Sequence, residues 1–168
     1  ADLTKLLLEN GANIQEINAI RKHIDRIKGG KLAIAAAPAR IVTLILSDVI
    51  GNSLEAVASG PTVPDSTTYR DCLYIIQKYH LSEKIPAAIY ERILIGANGD
   101  IPETLKDNSP ILKNISNYLI GDNSTAVNAV VEKGKSLGLN VSVIPKPIIS
   151  EAREAGRFLA AELRKPVT

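Results

Sequence analysis

Apolar residues recur at helical spacing through the first thirty positions, then give way to short unbroken runs. Asn10-Gly11 is a stop signal that closes a first helix over residues 2–9. Asn13 followed by Glu16 has the form of a capping box, and Ile17, Ile20, Ile24 and Ile27 then fall on one helical stripe. Gly29-Gly30 is the expected end of this second helix, with residues 31–37 as a short further turn before Pro38. Ile41 to Leu46 is a β-branched run with apolar residues on both faces, the pattern of a buried parallel strand. A loop rich in Gly, Ser and Pro follows as far as Asp65, with a short helix expected at 53–58. Asp65-Ser66 caps a helix over 67–80, with Tyr69, Cys72, Leu73, Ile76 and Tyr79 on one side.

Pro86 falls in the first turn of a helix over 86–95, and residues 96–113 read as a polar, exposed connection. Tyr118-Leu119-Ile120 is a second strand, and a helix over 124–137 ends at Gly138. Val141 to Ile144 is a third strand, and Glu151 to Lys165 a last helix. Strand, helix, strand, helix is the order of a right-handed parallel βαβ unit. The expected class is therefore α/β, a doubly wound, mainly parallel sheet with helices on both faces, Rossmann-like. Ligands of such sheets bind beyond the carboxyl ends of the strands. Here those ends are Ser47-Asp48, Gly121-Asp122-Asn123 and Pro145-Lys146.

Composition narrows the picture in three ways. The 168 residues are 45% hydrophobic and 4% aromatic, so the chain is large enough for an aliphatic core without disulfides or metals. A net charge of +2 gives no argument for nucleic acid, and the Arg21–Lys31 cluster reads as a solvated helix face. The longest apolar stretch, Leu32 to Leu46, is broken by Pro38, Arg40 and Thr43, so no membrane helix is expected. One cysteine, Cys72, fits a reducing cytoplasm and sits on an apolar helix face as a core thiol.

Asp48 is the leading chemical candidate. A carboxylate at a strand end can hold Mg²⁺ or accept a proton from a substrate hydroxyl, and it can equally cap the following turn. Ser59-Gly60-Pro61-Thr62 can wrap an anion with backbone N–H groups, or be a plain turn. Lys28-Gly29-Gly30-Lys31 lacks the spacing of a P-loop, and the glycines most simply end a helix. Asn123, opening a helix after Gly121-Asp122, offers an anion site at a helix N-terminus. The G-x-G-x-x-G fingerprint of nicotinamide sites is absent there. His23 and His80 have no partner at zinc-ligand spacing.

Four ordered segments carry a resemblance. Glu16 to His23 followed by Lys28-Gly-Gly-Lys-Leu-Ala33 is one, and Leu44-Ile-Leu-Ser-Asp-Val-Ile-Gly51 is another. Ala58-Ser-Gly-Pro-Thr62 with Asp65, and Ser150-Glu-Ala-Arg-Glu-Ala155, complete the set. Together they resemble the large N-terminal domain of MOFRL-type (class II) glycerate 2-kinases. The resemblance implies transfer of the ATP γ-phosphoryl group to D-glycerate with Mg²⁺, giving 2-phosphoglycerate. It implies Asp48 as metal ligand or acid/base group and Lys28 as a catalytic partner. Lys22, His23, Gly29, Gly30 and Ser47 would line the cleft, with Ser59, Gly60 and Thr62 near phosphate; Asn123 is a candidate by its place at the helix start alone. Asn52 stands where the family usually has Asp, and Asp25 where it usually has Ser.

The family's upstream Gly/Ser loop and its C-terminal domain are not among these residues. The expectation is one incomplete α/β domain over 1–168 that supplies part of a cleft and is inactive alone. Helix faces rich in Ile and Ala leave room for a homodimer. A hydroxypyruvate reductase-like oxidoreductase and a non-catalytic nucleotide-binding or assembly module are the alternative readings.

Overall fold

The computed structural model describes residues 2–164, and the chain falls into two compact units, 1–124 and 125–168. The first unit contains α1 (Asp2–Glu9), α2 (Ile14–Ile24), α3 (Lys31–Ala36), β1 (Ile41–Ser47), α4 (Tyr69–Lys78), α5 (Ala87–Asn98) and β2 (Ile115–Asp122). α6 (Asn123–Ser136) begins at its end, and α7 (Ala152–Glu162) lies in the second unit.

The capping box of α2 forms as its residues dictate: the Asn13 side chain accepts from Glu16 N–H, and the Glu16 carboxylate accepts from Asn13 N–H, both at 2.9 Å. The stripe then buries Ile17 and Ile20 against Tyr69, Cys72 and Ile76 of α4 and Ile93 of α5, with Leu7 of α1 completing an aliphatic core. The near-absence of aromatics leaves one exception, the fully buried Tyr69, whose ring lies on Gly96. Burial pushes the Cys72 thiol far above its ordinary pKa, so it behaves as a core hydrophobe.

Several boundaries differ from expectation, each for a local reason. α2 stops at Ile24, because Asp25 is extended (φ −81°, ψ 155°) and its carboxylate accepts from the N–H groups of Ile27 and Lys28. Those two bonds, with Lys28 beside it, outweigh partial burial and hold the Asp25 pKa down to about 2. Ile27 therefore leaves the stripe and is 51% exposed. Gly30 opens α3 rather than ending α2. Thr68 and Asp71, not Asp65-Ser66, form the capping box of α4. Pro86 is the N-cap of α5 and not a residue of its first turn. The short helix after β1 is a 3-10 turn at Val57–Ser59, slightly later than expected.

β1 and β2 pair in parallel, Ile41 opposite Ile115 through Ser47 opposite Asp122, with an irregularity after Ile45. The α/β class and the parallel sheet are as expected. The burial of β1 is not: Ile41, Thr43 and Ile45 are half-buried, whereas Val42, Leu44 and Leu46 are 56%, 64% and 73% exposed. β2 is longer at both ends than Tyr118–Ile120. The third strand is absent, with residues 141–144 irregular, so Pro145-Lys146 is not a strand end. Lys165, where the last helix was expected to end, lies outside the described residues.

Candidate functional site

Three segments that look unrelated in sequence are laced together by backbone hydrogen bonds. Gly29 N–H donates to Ser59 C=O at 3.0 Å, and Gly30 N–H to Gly60 C=O at 2.7 Å. Leu105 N–H donates to Gly29 C=O at 3.0 Å, and Asp65 N–H to Leu105 C=O at 2.7 Å. The lacing is possible because neither glycine carries a Cβ. One on Gly30 would lie 2.6 Å from Leu105 Cδ2, and one on Gly29 would lie 2.9 Å from Thr104 Cγ2. Opposite them, Ala58, Ser59 and Gly60 are consecutive residues of positive φ (51°, 59° and 60°), a strained turn kept because the surrounding bonds over-determine it.

Charged side chains fill the interior of this knot. Lys22 Nζ donates to Asp65 Oδ1 at 2.5 Å and to Glu55 Oε2 at 3.2 Å. Burial pushes the Asp65 pKa up, but the bonds from Lys22 and Thr67 outweigh it and hold the carboxyl below its ordinary value. Asp65 Oδ2 has no hydrogen-bond partner among the described residues. Lys31 Nζ donates to the carbonyls of Lys22, His23 and Asp25, at 2.7, 3.2 and 2.9 Å, a cation on the C-terminal end of α2. Lys106 Nζ binds the carbonyls of Asp65 and Thr67 and the Thr104 hydroxyl.

His23 is fully buried, edge-on to Tyr69 with centroids 4.6 Å apart. Its Nδ1 faces Ala19 C=O at 2.8 Å, so that nitrogen carries a hydrogen, and Nε2 faces Glu103 Oε2 at 3.1 Å. Burial lowers the imidazole pKa against the opposing pull of Ala19, Asp65 and Glu103. A neutral ring has one N–H for two acceptors, so the second contact needs a further proton on the ring or on Glu103. Glu103 Oε1 also accepts from Tyr69 N–H at 2.9 Å. Glu103→Gln supplies the missing hydrogen from its own amide and keeps an oxygen for Tyr69. We therefore expect Glu103→Gln to match or exceed wild-type stability at neutral pH. Glu103→Ala should cost about 1–3 kcal/mol by stranding both donors and acceptors. Urea midpoints of the two variants compare these directly.

The other gathering lies at the carboxyl ends of the strands. Ser47 ends β1, buried, its hydroxyl accepting from Val49 N–H at 3.2 Å, and Asp48 beside it is exposed. Asp122 ends β2 opposite Ser47, and Asn123, exposed, begins α6. Thr62 ties the knot to the middle of the sheet. Its hydroxyl accepts from Thr43 at 3.0 Å and donates to Asn117 Oδ1 at 2.7 Å, pinning the knot to both strands.

Of the residues singled out from sequence, Ser47, Asp48 and Asn123 thus share the strand ends. Lys22, His23, Gly29, Gly30, Ser59, Gly60 and Thr62 share the knot, and their polar atoms there are engaged internally. Lys28 is on neither; its ammonium pairs with Asp25 at 3.1 Å. Sequence reasoning missed Glu103, Thr104, Leu105 and Lys106, because a polar stretch beside Pro102 reads as surface. Thr104 and Leu105 are in fact buried. It also assigned Asp65 to capping, when the carboxylate is the partner of Lys22.

Residues 1–94 match the model of a family described as a domain of unknown function (DUF4147). The chain belongs to that family. This DUF4147 chain is 43% identical over 158 residues to the glycerate 2-kinase of Pyrococcus horikoshii, covering 94% of itself and 35% of that protein. It is 39% identical over 165 residues to the D-glycerate 2-kinase of Thermotoga maritima, covering 97% of itself and 36% of the relative. The crystal structure of a glycerate kinase from Thermotoga maritima superposes with a TM-score of 0.73 at 39% identity, over 95% of this chain and 36% of that one. The DUF4147 chain therefore spans about a third of the length of the curated relatives it matches, and its α/β fold is theirs over that stretch. No helix among its described residues is long and apolar enough to cross a membrane.

Proposed function

We propose that these residues form one part of a glycerate 2-kinase, an enzyme passing the γ-phosphoryl group of ATP to D-glycerate to give 2-phosphoglycerate. The observation that carries this reading is the likeness to two proteins named glycerate 2-kinase at 43% and 39% identity across nearly the whole chain. Phosphoryl transfer asks a protein for positioning and charge neutralisation more than for covalent chemistry. The carboxyl edge of the sheet suits that demand, being where α/β sheets take ligands.

In this reading Asp48 accepts the proton of the attacking hydroxyl or helps hold Mg²⁺. Ser47 and the N-terminus of α6 at Asn123 face the anionic groups of the substrates. Mg²⁺ is commonly held by one or two carboxylates together with substrate phosphates. Asp48 and Asp122 fit that arrangement; no group of three or more His, Cys, Asp or Glu converges among the described residues. Bound there, the ion would neutralise charge on the transferred group. Lys28, which could exchange its Asp25 contact for a phosphate, is the candidate cation. Lys22, His23, Gly29, Gly30, Ser59, Gly60 and Thr62 serve by holding the knot that seats β1 and β2. The lone buried thiol of Cys72 is consistent with work in a reducing cytoplasm.

The test is glycerate-dependent ADP formation by a protein carrying this sequence in the full length of its relatives, with 2-phosphoglycerate as product. The 168-residue chain alone is expected to give none. Oxidation of NADH with hydroxypyruvate, without ADP formation, would replace the kinase reading by a reductase. Turnover by the isolated chain would overturn the claim that it is only a part.

A further inference from the structure

Asn52 has no role in the account above, yet it spans the carboxyl ends of both strands. It follows Gly51 in the turn after β1, and both residues have positive φ, 53° and 80°. Asparagine tolerates that conformation better than most side chains. The turn is closed by Asn52 N–H donating to Val49 C=O at 3.0 Å. The side-chain amide then reaches 70 positions along the chain, Nδ2 donating to Asp122 Oδ2 at 2.8 Å. Asp122 is the strand partner of Ser47, so the bond closes a ring: end of β1, Asp48 turn, Asn52, end of β2. Asp48 lies inside the ring while its own carboxylate stays exposed.

The chemistry of the donor matters. A carboxylate at position 52 would set two acceptors 2.8 Å apart, which holds only with a shared proton or a cation between them. A neutral amide needs neither. We propose that Asn52 is the positioning residue of the strand-end site: its amide locks the Asp48 turn onto Asp122 and does so without a cation. The proposal rests on the strand ends being the phosphoryl-transfer site.

Asn52→Ala and Asn52→Asp separate this role from a general effect on folding. In the isolated chain, Asn52→Ala should move the backbone amide resonances of Asp48 to Gly51 and leave those of the α2–α4 core in place. Asn52→Asp should do the same in EDTA and return towards the wild-type positions when millimolar Mg²⁺ is added, while the wild-type turn is already closed in EDTA. Unmoved turn resonances in Asn52→Ala, or an Asn52→Asp spectrum indifferent to Mg²⁺, would overturn the lock. In the active full-length protein, Asn52→Ala should lower kcat by about tenfold or more with KM for ATP little changed. Equal kcat in wild type and Asn52→Ala would overturn the positioning of Asp48. Absence of phosphoryl transfer in the wild type would instead strike the functional reading, with the resonance measurements still deciding the lock.

Discussion

Gly30→Ala is expected to lower the stability of the chain by about 2–5 kcal/mol, the sum of a left-handed non-glycine residue and an over-packed interior. The residue has φ +74°, and an added Cβ would meet Leu105 Cδ2 at 2.6 Å and Val63 C=O at 2.8 Å. One of those neighbours is backbone, so relief requires moving the loop itself. The Gly30–Gly60 and Gly29–Ser59 bonds would break as it moves. A control isolates the packing term. Gly99 has φ +89° with nothing within 4 Å of an added Cβ, so Gly99→Ala should suffer backbone strain alone, about 1–2 kcal/mol. Urea denaturation of both variants decides the matter. Equal losses at the two sites would mean that the lacing of the three segments is looser than described. Against the 5–15 kcal/mol typical of a domain, the Gly30 change is large enough to populate unfolded chain at 37 °C.

Lys22→Met should have a comparable effect by a different route. It removes the ammonium that pairs with Asp65, leaving a fully buried carboxylate, and breaking such a pair on one side costs about 3–5 kcal/mol. The sign of the pH dependence is the sharper test. In the wild type the folded pKa of Asp65 is depressed, so its contribution is present above the unfolded value of 3.8 and is lost as pH falls through the folded one. Without Lys22 the desolvation of Asp65 is unopposed by a cation and its folded pKa rises. Lys22→Met should therefore gain stability on acidification from neutral pH towards the range where the neutral acid forms, while the wild type does not. Urea midpoints taken across that range read the slope directly. Slopes of the same sign in both proteins would show that Asp65 is not a buried carboxylate held by Lys22. The double change Lys22→Met, Asp65→Leu should recover much of the loss, since an apolar pair needs no compensation.

Those two residues show where sequence reading stops. The capping box of α2 was legible because Asn13 and Glu16 act across three residues, and the strand at 41–46 because its composition is local too. Asp65 was misread because Asp before Ser and Thr also looks like a cap. The bond that decides its role crosses 43 positions to Lys22. Glu103 is further removed, 80 positions from His23, in a stretch whose composition says loop. The strand at 141–144 failed for the opposite reason. Its local pattern is good, but a strand also needs a neighbour to pair with, and none pairs with it among the described residues. The strand-end group was legible as a place, since Ser47-Asp48 and Asp122-Asn123 mark the ends of apolar runs. Which atoms face one another there was not, because the Asn52–Asp122 contact depends on two positive-φ residues.

The exposed apolar row on the sheet has a practical consequence for anyone handling the chain. Val42, Leu44 and Leu46 stand in a row beside Tyr118 and Ile120, all more than half exposed, on a pair of strands with open edges. Such a surface is a template for edge-to-edge pairing and for colloidal association. The residues that hold the chain together lie elsewhere, in the α1–α2–α4–α5 core and the Gly29–Gly60 knot. Substitutions that strengthen that interior would thus leave solubility untouched. A charge placed at Leu44 would improve solubility at little cost to the core.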